Sequence, residues 1–152
     1  IESIQIMYDK LLLTDKYNEL SVKIYIEDLI AAIINIFSNG KNITISKNIE
    51  DFQLSTKTLF SLGTMVNELI TNSIKYAFTE KDSGNIEVSI AKSGDEMTLS
   101  VKDDGQGLPQ NFDINASPGF GLQLVQMTTR QLKGTLSVNS ENGTELTSTF
   151  KI

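Results

Sequence analysis

The sequence predicts an α/β two-layer sandwich of the α+β kind, with helices on one face of a mixed, mostly antiparallel sheet. Three observations lead there. Stretches with apolar residues at helical spacing alternate with shorter stretches of period two. The strand-like stretches come largely in pairs separated by turn residues, as hairpins do. The length, 152 residues, suits one domain with a real core and is too short for two ordinary ones.

The elements follow in chain order. In IESIQIMYDKLLL, Ile4, Met7 and Leu11 recur at helical spacing until DKYNEL interrupts them, so this stretch reads as the end of a long helix. The chain opens on Ile1 with neither an initiating Met nor a leader with a cleavage site, and the expectation is a piece of a longer protein. IYIEDLIAAIINIF reads as a buried amphipathic helix that stops at Ser38, Asn39 and Gly40. NITISKNI alternates imperfectly through Ile43, Ile45 and Ile49 and predicts a strand, and FQL a second, short one. Over residues 56–78, Leu62, Val66, Leu69, Ile70, Ile74 and Ala77 gather on one side of a helix. NIEVSIAK and MTLSVKD, separated by SGDE, form a hairpin whose second strand runs into DDGQGLP. After a loop rich in Asn, Asp, Ser, Pro and Gly comes a helix through GLQLVQMTTRQL, stopping at Gly134. GTLSVNS and TELTSTFKI, joined at residues 141–143, close the chain as a last hairpin.

Composition narrows the chemistry. Hydrophobic residues at 39% and charged residues at 21% are those of a folded, soluble chain, and no apolar run reaches a membrane span. The net charge of -6 offers no footprint for nucleic acid, which is excluded as a partner, whereas a small anion carrying its own metal is not. There is no cysteine and no histidine. That removes disulfides, thiolate or imidazole metal sites, a Ser-His-Asp triad and a histidine general base.

Three segments carry candidate chemistry. Glu68 and Asn72 lie four apart, so a helix projects both from one face, away from Leu69, Ile70 and Ile74. Mg²⁺ takes oxygen ligands and keeps several waters, so one amide oxygen from Asn72 plus nucleotide phosphates would complete its shell. Glu68 could then orient a nucleophile and accept its proton. Taken alone, the pair reads more readily as a solvated helix face. In DDGQGLP, at a strand's end, two glycines flank one residue, and the carboxylate of Asp103 can accept from an exocyclic amine such as adenine's; the alternative is a plain turn. GFGLQLV opens a helix, where free N–H groups favour phosphate and Gly119 and Gly121 permit close approach; the alternative is a loop before a core helix. Neither glycine pair fits GxxxxGK[ST] or GxGxxG, so the phosphate site is of another type. Lys75, one turn beyond Asn72, could neutralise phosphate, and Thr144, after Gly143, could add a hydroxyl near a base.

In order and spacing, NELITNSIKYAF, VKDDGQGLP, GFGLQLV and ENGTELTSTF resemble the N, G1 and G2 boxes and the terminal Gly-Thr element of the histidine-kinase-like ATPases. The resemblance covers residues 56–152 and is closest to sensor histidine kinases of the HisKA_2 group. It implies the Bergerat ATP-binding fold and ATP with Mg²⁺ as cofactors. It makes Asn72 the metal ligand, Glu68 the candidate base and Lys75 a phosphate contact. Asp103 would hold the adenine amine, supported by Thr144 directly or through water. Gly105 and Gly107 would shape the base pocket, while Gly119, Gly121 and Leu122 would serve the lid and phosphates. Two departures stand out: Tyr76 where the group often has histidine, and Asp104 where other kinase groups have asparagine.

The same resemblance divides the chain into residues 1–20, the end of a dimerisation and phosphoacceptor helix region, and residues 21–152, the ATPase domain. It implies a phosphoacceptor histidine upstream of Ile1, a receiver domain of a response regulator as partner, a homodimeric parent protein and a cytoplasmic location, with membrane anchoring of the parent open. The other readings are a serine kinase of the anti-sigma-factor type and a non-catalytic nucleotide-binding module.

Overall fold

The computed structural model describes residues 19–37, 41–79, 82–109, 112–113 and 120–152. The helical expectation for residues 1–18 and the position of Gly119 lie outside them. Among the described residues the order is β1 (Glu19–Ser21), α1 (Val22–Phe37), β2 (Asn42–Ile49), β3 (Gln53–Ser55) and α2 (Thr56–Asn72), which passes into a π-helical turn (Ser73–Ala77). Then follow β4 (Ser83–Ser93), β5 (Glu96–Asp103), α3 (Phe120–Gln131), β6 (Thr135–Asn139) and β7 (Thr144–Lys151).

The main sheet has the order β2-β4-β5-β7-β6. Only β2 and β4 pair in parallel; β4–β5, β5–β7 and β6–β7 are antiparallel. This is the mixed, mostly antiparallel sheet that the sequence predicts. Alternation explains its two faces. Ile86, Val88 and Ile90 of β4 and Met97, Leu99 and Val101 of β5 are buried toward the helices, whereas Glu87, Thr98 and Ser100 point the other way. Against the apolar face pack Ile26, Leu29 and Ile33 of α1, Leu62, Val66 and Leu69 of α2, and Val125 of α3. No helix among the described residues is long and apolar enough to cross a membrane.

Local signals start and stop the helices. Ser55, the last residue of β3, caps α2 by accepting Thr58 N–H at 3.2 Å. At the end of α3 the left-handed residue is Lys133 (φ 59) rather than Gly134, and Gly134 N–H reaches Thr129 O at 2.9 Å. Gly134 is needed for a different reason: a Cβ there would overlap Thr149 O. Strand β1, unforeseen because it has three residues, pairs with β3 and ties the start of α1 to that of α2.

Tyr25 of α1 is 5% exposed and its hydroxyl has no hydrogen-bond partner among the described residues. Burial pushes its pKa well above the ordinary 10.0, because the phenolate would lose its hydration. The folded state therefore keeps the proton that the unfolded chain releases, and stability present below about pH 10 is lost above it. Tyr25→Phe is expected to hold or raise the thermal midpoint and to flatten its fall between about pH 9 and pH 11, since it removes an unpaired buried hydroxyl. Melting curves of both chains across that range check this.

Candidate nucleotide site

Asp103, the last residue of β5, is 4% exposed among apolar neighbours, and an isolated carboxylate there would be costly. Three donors meet it. Gly105 N–H and Thr144 N–H reach Oδ1 at 3.0 and 3.3 Å, and Ser73 Oγ–H reaches Oδ2 at 3.1 Å. Pairing of β5 with β7 sets Thr144 opposite Asp103, so Thr144 supports the carboxylate directly through its main chain. Among the described residues Oδ2 accepts only this one bond, which leaves a lone pair for a further donor such as an exocyclic amine. Asp104, by contrast, is exposed and prolongs the β4–β5 ladder, with its Oδ1 accepting Asn85 N–H at 2.9 Å and its own N–H reaching Asn85 O at 3.2 Å.

The glycines do separate jobs. Gly105 is required by close approach, since a Cβ would overlap Ala77 O, whereas Gly107 takes φ 78. Leu108 N–H then donates to Ser140 Oγ at 2.8 Å, which fastens this loop to the β6–β7 turn.

The second half of the cluster lies where α2 meets α3. A Cβ on Gly121, in the first turn of α3, would stand 2.6 Å from Glu68 Oε2 and 3.4 Å from both side-chain atoms Oδ1 and Nδ2 of Asn72. Glu68, Asn72 and Gly121 are thus neighbours, though the first and last lie 53 positions apart in the chain. The next residue along α2 after Asn72 is Ser73, which holds Asp103. The three motifs therefore adjoin one another. Lys75 and Tyr76 are exposed on the π turn beside it, Tyr76 at 64%, and Leu122 is half-buried against the core. Among the described residues no group of three acidic side chains could hold a metal unaided. One amide oxygen and one carboxylate instead match an ion that arrives with phosphates and keeps part of its water.

A prediction arises here. The atom nearest a Cβ at position 121 is the tip of a flexible side chain, so Gly121→Ala costs little stability but displaces the Glu68 carboxylate. A thermal midpoint within about 3 °C of the parent, with affinity for nucleotide in the presence of Mg²⁺ down about tenfold or more, is the expected pair of results.

Sequence reasoning did not single out Ser73 or Ser140. Each is a common residue whose partner, Asp103 or Leu108, lies about thirty positions away, and no local pattern marks such a pair.

The chain is similar to proteins of known family. Residues 59–152 match the family model described as histidine kinase-, DNA gyrase B-, and HSP90-like ATPase. The chain is 26% identical over 145 residues to Blue-light-activated histidine kinase 2 of Erythrobacter litoralis, covering 91% of this chain and 41% of that protein. It is 25% identical over 150 residues to the sensor histidine kinase PdtaS of Mycobacterium tuberculosis, covering 96% and 30%. It thus spans less than half the length of either relative. The histidine kinase domain of the Erythrobacter litoralis EL346 blue-light activated kinase has the same fold, with a TM-score of 0.85 at 22% identity over 99% of this chain and 71% of that one.

Proposed function

Since the chain belongs to the family of histidine kinase-, DNA gyrase B-, and HSP90-like ATPases, an ATP-binding family, we propose that it supplies the γ-phosphate of ATP to a histidine on the same parent protein, upstream of Ile1. One observation carries this reading: Gly121 against Glu68 and Asn72, with Ser73, the residue after Asn72, bonded to Asp103. Taken as one cleft, these residues would offer a place for a base amine at one end and for phosphates and a cation at the other.

Asp103 accepts the adenine amine on its remaining lone pair, and a guanine, whose O6 is an acceptor, finds no donor there. Gly105 and Gly107 shape the loop around the base. Asn72 lends its amide oxygen to Mg²⁺, which neutralises phosphate charge when bound. Lys75 adds charge from the π turn, the first turn of α3, with Gly121 and Leu122, presents N–H groups and a small surface to the phosphates, and Gly119 is proposed as a further phosphate contact. Glu68 orients the incoming imidazole and takes its proton. The phosphohistidine then serves the receiver domain of a response regulator. The parent protein is a homodimer through its helical dimerisation region, expected to end within residues 1–20, of which Glu19 and Leu20 instead belong to strand β1, with this domain on the cytoplasmic side.

Incubation with γ-labelled ATP and Mg²⁺ should leave this chain unlabelled, while a histidine-bearing helical region from the parent protein, added separately, should become labelled. Label on this chain alone, or on serine, overturns the assignment. Asn72→Ala is expected to bind ATP nearly equally with and without Mg²⁺, within about threefold, where the parent chain shows a clear metal dependence. Titration calorimetry in the presence of Mg²⁺ and of a chelator reads that difference.

A further inference from the structure

The carbonyls at the end of a helix lack partners within it and must find them outside. Where α2 widens into the π turn and ends at Phe78, three consecutive carbonyls do so. Tyr76 O accepts from Gln106 Nε2 at 2.8 Å, Ala77 O accepts from Gln106 N–H at 3.0 Å, and Phe78 O accepts from the Lys41 ammonium. Gln106 stands between the two glycines of the DDGQGLP loop and holds with both main chain and side chain. Lys41 comes from the opposite direction, from the residue before β2, and places a cation at a helix C-terminus, where the backbone dipole favours it. Neither residue belongs to the machinery assigned above.

The held segment is the one that joins the two ends of the cleft. It begins at Asn72 on the cation side, bonds Asp103 through Ser73 and backs onto Gly105 through Ala77. π turns sit easily at such functional places, but their hydrogen bonding is less regular than that of an α-helix, so the end contacts matter more. We propose that Gln106 and Lys41 are positioning residues that lock residues 73–78 and so set the spacing between the base pocket and the phosphate end. The inference rests on the reading of this cleft as an ATP site.

The test compares the parent chain with Gln106→Met, Lys41→Met and Lys41→Arg, each first checked for folding by circular dichroism. Backbone amide exchange is followed without nucleotide, and affinities are measured for ATP and for adenosine. Gln106→Met keeps the length of the side chain but has no donor, while Lys41→Arg keeps the donor and the charge. Both Met variants should exchange faster over residues 73–78, with β4 and β5 unchanged. Both should lose ATP and adenosine affinity by the same factor, about tenfold, because the base pocket is common to the two ligands. Lys41→Arg should return both readouts to the parent values.

Unchanged exchange over residues 73–78, unchanged affinities, or a loss confined to ATP would each overturn the positioning role. A loss confined to ATP would mean that Lys41 acts only through charge on phosphate. A parent chain that binds neither ligand overturns the ATP reading and the positioning role with it. A parent chain that binds both, with variants that bind equally well, overturns the positioning role alone.

Discussion

Asp103→Asn is expected to leave the fold standing while lowering ATP affinity about 100-fold or more. The asparagine Oδ1 can still accept Gly105 N–H and Thr144 N–H, and Ser73 can rotate its hydroxyl to accept from the new amide, so every buried partner stays satisfied. The structural cost is then about 1 kcal/mol, within the ordinary range for exchanging charge-assisted bonds for neutral ones. The base meets a different surface. In the proposed site an NH₂ would face the adenine amine, donor against donor. Isothermal titration against ATP, with thermal unfolding of the free protein alongside, separates the two effects. A large fall in the thermal midpoint, or an affinity within about threefold of the parent, would contradict the account.

Gly143→Ala should be the most destabilising glycine replacement near the site. Gly143 has φ 110, where an alanine is strained, and a Cβ there would overlap Asp103 O and crowd Asp104 Cα at 3.1 Å. These obstacles are backbone atoms, held by the β5–β7 pairing of Asp103 with Thr144, and cannot rotate aside. Strain and collision together should cost about 3 kcal/mol, a drop of roughly 10 °C in a domain of this size. Because the displaced strand end carries Asp103, nucleotide affinity should fall with stability. Gly94→Ala is the matched control. It has φ 62 in the β4–β5 turn and open space around it, so only the left-handed penalty of about 1–2 kcal/mol applies and the site is untouched. Equal melting shifts for the two variants would show that backbone angle alone, without the collision at Asp103, governs position 143.

Much of the architecture is written locally. The apolar period of Leu62, Val66 and Leu69 requires a helix with one buried face, and the alternation of Ile86, Val88 and Ile90 requires a strand with one buried face. Burying both is what makes a two-layer sandwich. The turn residues around Gly94 and Gly143 likewise announce their hairpins, because positive φ is cheap only for a few residue types. The spacing of Glu68 from Asn72, and the position of Asp103 at a strand's end, follow from the same periods. These candidates are therefore legible in the amino-acid sequence alone.

Other features depend on contacts that no local pattern encodes. The parallel pairing of β2 with β4, the strand status of Glu19–Ser21, and the widening of α2 at Ser73–Ala77 are decided by what packs beside each segment. The partners of Asp103 come from positions 73, 105 and 144, brought together only when α2, β5 and β7 have docked. The same holds for the meeting of Gly121 with Glu68. The sequence by itself determined which residues are candidates for the chemistry and which face of each element is buried, since both follow from side-chain type and backbone period. Tertiary structure alone decided which of the candidates adjoin one another and what holds them there, because a hydrogen bond or a close approach between segments depends on distances that sequence separation does not contain.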